Sequence, residues 1–230
     1  MKLLLRLALL ALLPLLSACE NEAYDTGDGA LSAMRADFVV AETDADARMT
    51  GFETDGGERL RLASPVAVGW MDRPDTVYRA LLYYNKVTAA DGSAAAEPLS
   101  MTQVLVLPVV NAADLAVQPK KDPVTFVSSW TSSNGRYLNL ELLVKTGKTD
   151  DGYGTQSVGM VCDSVTADAA GRRTVWLSLA HDQSGVPEYY STEAYVSVPV
   201  SALPVSPVEG DEVRIGVSTY DGLTVRSFGF

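Results

Sequence analysis

Near the N-terminus lie four residues whose types and spacing predict a covalent modification. Residues 16–19, Leu-Ser-Ala-Cys, follow an apolar run and form a lipobox, in which the cysteine thiol is joined to lipid through a thioether. The basic residues Lys2 and Arg6 precede the apolar stretch 7–16, which has the length of a signal peptide and is too short to span a bilayer. We therefore predict that residues 1–18 are removed and that Cys19 becomes the lipidated first residue.

The charge of the mature chain limits its partners. The sequence has 18 Lys and Arg against 29 Asp and Glu, and removal of Lys2 and Arg6 leaves a net charge of −13. Nucleic acid and anionic lipid surfaces bind basic patches, so neither is expected as a partner. Membrane attachment must then come from the lipid at Cys19. The acidic, polar segment 19–31 is predicted to be a tether.

Cys162 and His181 are the one remaining thiol and the one histidine, so they could form a nucleophile and base. If the strands around residues 167–172 form a hairpin, Cys162 lies opposite Leu177 and His181 lies opposite Val158. The resulting offset is about four residues, or about 13 Å, far beyond the contact that such a pair requires. We interpret Cys162 as a small core residue and His181 as structural, and we expect no catalytic residues and no enzymatic activity.

Other short motifs resemble functional sites without their essential parts. Residues 145–147, Lys-Thr-Gly, occur without the Ser-x-x-Lys nucleophile that such a box accompanies. The acidic loops at residues 44–46 and 150–152 lack the spaced ligands and closing glutamate of a calcium site, and aspartate is common in turns. We therefore expect no metal and no cofactor.

Alternating apolar runs bounded by Gly, Pro, Asp and Asn predict an all-β fold. The first half suggests five strands, which fit a small OB-like β-barrel over residues 32–115. In this half the Asp55-Gly56-Gly57 run predicts a hairpin turn. The five predicted strands are residues 33–42, 48–54, 58–63, 76–86 and 101–110.

Two prolines within residues 119–123 indicate a linker, after which a seven-stranded β-sandwich is predicted over residues 116–230. Leu138, Leu140, Leu142 and Val144 share one face, which should be buried, while the opposite face should be wet. Residues 221–222, Asp-Gly, should join the last two strands in a hairpin. The seven predicted strands are residues 124–130, 136–146, 157–166, 173–181, 192–200, 211–219 and 223–230.

Three aromatic residues are candidates for binding a ligand or partner. By strand alternation Tyr137, Trp176 and Tyr195 lie opposite the main aliphatic rows, on faces that would otherwise meet water. Flat exposed rings can stack on sugars or anchor a protein partner. The alternative is that they pack at a seam between the two predicted domains.

The lipobox, the acidic tether and the two β domains together resemble the NigD-like lipoproteins. Residues 136–142 (RYLNLEL) look like one strand of that family, and residues 175–181 (VWLSLAH) with 188–190 (EYY) look like a later strand and loop. The family usually has Arg-His-Asn at that strand end, where this chain has Ala180-His181-Asp182. The resemblance implies an envelope location and this fold, and no activity or cofactor.

Together these observations predict a lipid-anchored, non-enzymatic envelope protein that binds another macromolecule. The expected partner is an envelope protein or a glycan. The alternative is a glycan-binding accessory lipoprotein of a polysaccharide-uptake system. Because Glu20 rather than aspartate follows Cys19, we expect the outer membrane, facing either the periplasm or the cell surface.

Overall fold

A computed structural model describes residues 33–149 and 152–230, and residues 35–230 form one compact unit. The fold is all-β, as predicted. Its strands are β1 (Arg35–Thr43), β2 (Arg48–Thr54), β3 (Arg59–Ala67), β4 (Val77–Thr88), β5 (Ala94–Val106), β6 (Val109–Asn111), β7 (Thr125–Thr131), β8 (Tyr137–Thr146), β9 (Lys148–Thr149), β10 (Gly152–Tyr153), β11 (Ser157–Ala167), β12 (Arg173–Asp182), β13 (Tyr190–Pro199), β14 (Glu212–Thr219) and β15 (Gly222–Gly229). In the described part of the chain, no helix is long and apolar enough to cross a membrane.

The first five strands are paired in the order β3-β2-β1-β4-β5, and a parallel pairing of β3 with β5 closes them into a ring. The ring surrounds its own apolar cluster, in which Phe52 and Tyr84 meet edge to face at 5.0 Å between ring centroids. The predicted turn between β2 and β3 is confirmed. It is closed by a hydrogen bond from Gly57 N to Thr54 O of 2.9 Å, and Gly57 has φ of +83°, which glycine adopts without strain.

Strand β5 connects this ring to the second half of the chain. Its residues Val104–Val106 pair in parallel with Tyr195–Ser197 of β13, so that one eight-stranded sheet runs β3-β2-β1-β4-β5-β13-β8-β7. The predicted fifth strand, 101–110, is corrected, because β5 begins at Ala94 and ends before Pro108, which has no N–H for a ladder. Residues 109–111 then form β6 in the other sheet. The proposed domain boundary at residues 115–116 stays a prediction.

The second half of the chain is a β-sandwich. Strands β13, β8 and β7 face a second sheet with the order β15-β14-β12-β11-β6. The predicted aliphatic row is confirmed: Leu138, Leu140 and Leu142 are buried in the core between the sheets, and Val144 packs against them. All seven predicted strands are present, but the count of seven is too low, because β6 and the small β9–β10 hairpin are added.

The last hairpin differs from the prediction by one residue. Strands β14 and β15 are closed by the pair Thr219 and Gly222, so the two turn residues are Tyr220 and Asp221 rather than Asp221 and Gly222. Gly222 is the first residue of β15, with φ of +116°, a conformation for which glycine is suited.

The opposite face of β8, predicted to be wet, is largely covered. Asn139 on this face is fully buried, and its Oδ1 accepts a hydrogen bond of 2.6 Å from Ser197 Oγ. Phe38 of β1 meets the rings of Trp130 and Tyr195 edge to face, at centroid distances of 5.1 and 5.4 Å. We call this contact between the ring and the sandwich the seam.

At the centre of the seam lies the guanidinium group of Arg79, whose side chain is 1% exposed. Two parallel hydrogen bonds of 2.6 Å join Arg79 Nη1 and Nη2 to the carboxylate of Asp55, in the turn between β2 and β3. The guanidinium also stacks over the ring of Tyr137 at 4.2 Å, and its Nε lies 3.4 Å from Ser197 Oγ. Arg79 therefore touches the ring, the β2–β3 turn and both sandwich strands β8 and β13.

We predict that Arg79→Leu lowers the free energy of unfolding by about 3 kcal/mol or more, because it leaves the Asp55 carboxylate without its partner at the seam. Chemical denaturation measures the loss. The double variant Arg79→Leu with Asp55→Asn should recover part of it. Arg59→Leu is the control, since the pair of Arg59 with Glu53 is exposed and worth less than about 1 kcal/mol. Equal losses for Arg79→Leu and Arg59→Leu would contradict the role of the seam.

Candidate functional site

Two of the three aromatic candidates, Tyr137 and Tyr195, lie in the seam, where both are half-buried. Tyr137 packs beneath Arg79 and Tyr195 packs against Phe38. Burial raises the pKa of the Tyr195 hydroxyl to about 12, with a further contribution from its hydrogen bond to Glu193. Much of both rings is thus used in packing, which was the alternative interpretation.

Trp176 lies on β12, in the other sheet, and is not brought together with these tyrosines. Arg214 of β14 stacks on its ring at 4.9 Å and is held there by an ion pair of 2.7 Å with Glu212. The three residues therefore form no single binding platform. Their individual binding roles stay predictions, and Cys19 lies outside the described residues.

Tyr137 does retain access to a cavity of about 450 Å³ at one end of the sandwich. Arg136, Pro199, Pro207 and Phe230 are among the residues that line it. Arg136 is itself tied to Glu53 of β2 by an ion pair of 3.0 Å. The cavity has the mainly apolar lining and the few polar groups of a small binding site, with Ser201 and Ser206 among the polar ones.

The predicted separation of Cys162 and His181 is confirmed by the register of β11 and β12. Cys162 pairs with Leu177 and His181 pairs with Val158, as expected from the hairpin. The Cys162 side chain is buried in the sandwich core. Burial raises the pKa of its thiol, and the nearby Asp163 carboxylate adds to the effect. Cys162 and His181 therefore cannot act as a nucleophile and its base.

His181 is buried and joins three segments of the chain. Its Nδ1 lies 3.1 Å from the Asp122 carbonyl oxygen and its Nε2 lies 2.8 Å from Gln156 Oε1. Its backbone N–H donates to Lys120 O at 3.0 Å, and its backbone oxygen accepts from Asp122 N at 2.9 Å. Since Gln156 also donates to Lys145 O at 2.8 Å, His181 links β12 to the 120–122 crossover and to the end of β8.

The loop that follows His181 is held by its own hydrogen bonds. Val186 N donates to Gln183 O at 3.0 Å across a turn whose central residues, Ser184 and Gly185, have φ of +52° and +73°. Positive φ at Ser184 is strained, and Asp182 Oδ1 offsets it by accepting a 2.8 Å bond from Ser184 N. The ammonium group of Lys120 hydrogen-bonds to Asp182 and lowers the pKa of that carboxyl.

Two glycines allow this loop to lie directly on the strand ends beneath it. A Cβ on Gly147 would stand 2.8 Å from both Pro187 O and a ring carbon of Tyr189, and a Cβ on Gly154 would stand 2.5 Å from Val186. Any larger residue would push the loop away. The Gly147 that the sequence places in a Lys-Thr-Gly run thus has a packing role.

The result is an exposed aromatic surface at one end of the sandwich. Tyr189 is 75% exposed although its ring rests on Gly147, and Tyr220, in the β14–β15 turn, is 44% exposed. Partial burial raises the pKa of Tyr220, and the charge and hydrogen bond of Glu188 add to the effect. Glu188 therefore contacts Tyr220 and is the neighbour of Tyr189 in the chain. We call Glu188, Tyr189 and Tyr220 the tip surface.

Sequence reasoning missed the tip surface as a site. The sequence singles out residues 188–190 only for their resemblance to a family loop, and it does not single out Tyr220. The available signal is that Tyr189 follows Pro187 in a loop and that Tyr220 precedes the Asp221-Gly222 pair, where an aromatic ring has no strand face to cover. Among the described residues, no group of three or more His, Cys, Asp or Glu is placed to hold a metal.

We predict that His181→Phe lowers the free energy of unfolding by about 2 kcal/mol or more. A phenyl ring cannot hydrogen-bond, so Asp122 O and Gln156 Oε1 lose their shared partner in a buried site. His181→Gln, which can restore one bond, should lose less. Thermal or urea unfolding measures both variants, and a His181→Phe variant as stable as wild type would show that the histidine does not hold these segments.

We also predict that the Cys162 thiol of the lipidated protein reacts with Ellman's reagent only after unfolding. A raised pKa reduces the thiolate fraction at a given pH, and burial blocks the reagent. Val165→Cys is the control, because residue 165 is exposed on the same strand and should react in the folded state. Rapid labelling of Cys162 in the native protein would overturn its assignment to the core.

A family model described as the NigD-like C-terminal beta sandwich domain matches residues 106–228, more than half of the chain. None of the curated proteins matches.

Several solved structures are similar over most of their length. A NigD-like immunity protein from Bacteroides caccae is 27% identical, with a TM-score of 0.60, covering 85% of this chain and 92% of that one. A protein provisionally described as toxin-related, from Parabacteroides distasonis, is 17% identical, with a TM-score of 0.61 and coverages of 86% and 93%. One provisionally described as a lipoprotein, from Bacteroides fragilis, is 13% identical, with a TM-score of 0.59 and coverages of 85% and 96%.

At 17% and 13% identity these last two structures show the fold alone. The family match over the sandwich agrees with the resemblance found in the sequence, in residues 136–142, 175–181 and 188–190. This chain belongs to the NigD-like family.

Proposed function

We propose that the protein is a lipid-anchored, non-enzymatic protein of the cell envelope that acts by binding another macromolecule. The lipobox at residues 16–19 supports the anchor, and the lack of aspartate after Cys19 supports the outer membrane. The similarity in fold to a structure described as a lipoprotein is consistent with the same location. Anchoring by lipid would leave the whole β domain free to meet its partner.

The observation that carries the binding role is the exposure of Tyr189 on a loop that cannot easily move. At its start, Asp182 Oδ1 accepts a hydrogen bond from Ser184 N, and Gln183 N donates to Asp122 Oδ2 at 2.8 Å. At its end, Tyr189 N donates to Thr146 O at 3.0 Å, so the loop backbone is held on both sides before any partner arrives. A preordered aromatic ring loses little entropy on association, and tyrosine is among the residues that contribute most at interfaces. The tip surface therefore has the rigidity and the chemistry of a contact site.

The charge and the family favour a protein as the macromolecule. At a net charge of −13 after removal of the leader, the chain repels nucleic acid. The B. caccae relative is described as an immunity protein. Immunity by its nature requires recognition of what is neutralised, so for this chain a protein partner is the first expectation.

The ring of β1–β5 is proposed to be an OB-like barrel. Its order and the parallel pairing of β3 with β5 support this assignment. OB-like barrels and β-sandwiches both commonly present binding faces, although a shared fold supports a function only by analogy.

We predict that Tyr189→Ala abolishes capture of the partner without changing stability. In-cell cross-linking of the native lipoprotein, followed by mass spectrometry, identifies the partner with the wild-type chain. Val208→Ala is the matched control, because Val208 is an exposed apolar residue outside the tip surface, and it should retain capture. Equal capture by both variants would place the contact elsewhere, and no partner for the wild type would refute protein binding.

The second candidate function is glycan binding, as in an accessory lipoprotein of polysaccharide uptake. The flat exposed ring of Tyr189 also favours it, because such rings stack on sugars. Calorimetry against a panel of polysaccharides distinguishes the two functions. A heat of glycan binding that is lost in Tyr189→Ala would support the glycan-binding function. If no polysaccharide gives a heat of binding and cross-linking captures a protein, the first proposal is supported.

A further inference from the structure

Among residues 33–149 and 152–230, one sheet edge of the sandwich is long, regular and not paired with a further strand. The two sheets end in β3, β7, β6 and β15. Of these, β3 is partly covered by β5, β7 has an irregular register between Phe126 and Ser128, and β6 has three residues. Strand β15 has eight residues and pairs with β14 without a shift. Natural proteins often block such an edge with a charge, a proline or a bulge. Strand β15 has no lysine, proline or bulge, and its one charged residue is Arg226.

The hairpin fixes which backbone groups of β15 are free. In a two-residue hairpin the closing pair, here Thr219 and Gly222, is hydrogen-bonded, and hydrogen-bonded and non-hydrogen-bonded pairs alternate from there. Leu223, Val225 and Ser227 therefore belong to non-hydrogen-bonded pairs with β14. Their N–H and C=O groups point away from β14, toward the open edge of the sheet.

Two of the three side chains on the outer face of this edge are apolar, and the third is Ser227. Leu223 is 72% exposed and Val225 is 42% exposed. Leu223 lies over Gly216 of β14, close enough that a Cβ there would stand 3.4 Å from its Cδ1. The one charged residue of β15, Arg226, turns away from this face and stacks on Phe126 at 4.5 Å. In a strongly acidic chain, this strand carries no acidic side chain.

We propose that β15 pairs in antiparallel fashion with β15 of a second copy, so that the five-stranded sheets of two chains become one ten-stranded sheet. A two-fold axis at Thr224 sets Leu223 opposite the partner's Val225, and Val225 opposite the partner's Leu223. The backbone N–H and C=O groups of Leu223 and Val225 point toward the open edge, so each of these pairs exchanges two hydrogen bonds. Such a contact uses the same patch on both chains and closes at two copies.

The chemistry of the edge favours this register over its neighbours. With the axis at Thr224, apolar residues face each other, and Arg226 comes beside the turn that carries the partner's Asp221. An axis at Arg226 would instead set two arginines directly opposite, which is destabilising. An axis at Val225 would set Leu223 against serine. The edge is therefore self-complementary in hydrogen bonding, in apolar contact and in charge.

Sedimentation of the full-length lipoprotein in detergent, over a concentration series, tests the proposal. Wild type is expected to form dimers. Val225→Pro removes an outward N–H that the pairing with β14 does not use, so the fold should persist while the dimer dissociation constant rises about tenfold or more. Val225→Thr keeps the N–H and the branched shape, and it should remain dimeric. A monomeric wild type, or a dimer that Val225→Pro leaves intact, would overturn the proposal.

A disulfide test checks the register. Thr224→Cys lies on the proposed axis, where the two Cα atoms of a non-hydrogen-bonded pair are about 4.5 Å apart, within disulfide range. Mild oxidation should join two Thr224→Cys chains covalently. Thr131→Cys, exposed on β7, is the control and should not cross-link above the level expected for free collision. Equal cross-linking of both variants would overturn the proposed edge contact. Both tests leave Tyr189 unchanged, so their failure is separate from failure of the proposed function.

Discussion

The arrangement of the whole chain depends on keeping one buried guanidinium group satisfied. Arg79 projects from the ring strand β4, yet its partners come from the β2–β3 turn, from β8 and from β13. A buried cation without these partners would be strongly destabilising. The bidentate contact with Asp55 thus fixes the turn, and the stack on Tyr137 fixes where the sandwich meets the ring.

This constraint explains why the ring and the sandwich share a sheet. Once the seam holds β8 and β13 against β1 and β4, the end of β5 lies beside β13 and completes its ladder at Val104–Val106. Pro108 then ends that ladder, and the chain crosses to the other sheet as β6. The crossover continues to residues 120–122, where His181 ties it to β12. The loop that carries Tyr189 follows β12 in the chain, so its position depends on these contacts.

The strands were predictable because they are local patterns. Alternation located the seven sandwich strands to within about two residues, and the hairpin arithmetic placed Cys162 and His181 correctly opposite their neighbours. The covered face of β8 was not predictable in this way. Asn139 and Tyr137 have the polarity of wet residues, and only the contact with a distant strand, carrying Arg79, makes that face an interior. Long-range pairing of this kind leaves no periodic signal in the sequence.

The pattern of the sequence favours aromatic residues on strands as binding candidates, whereas the most exposed aromatic residue of the described chain, Tyr189, lies in a loop. An aromatic residue on a strand, opposite an aliphatic row, is predicted to be exposed unless another layer of the protein covers it. The ring of strands β1–β5 is the layer that covers Tyr137 and Tyr195. A loop tyrosine has no layer to cover it, so its exposure depends on how rigidly its backbone is held. For Tyr189 that rigidity comes from its own N–H, which donates to Thr146 O, and from the bond between Ser184 N and Asp182 Oδ1. Gly147 leaves the space that lets the loop lie on the strand ends, and these roles become visible only when the strand ends are placed together. The capacity for recognition is thus a consequence of the internal hydrogen bonds at this end of the sandwich, rather than of any motif in the loop itself.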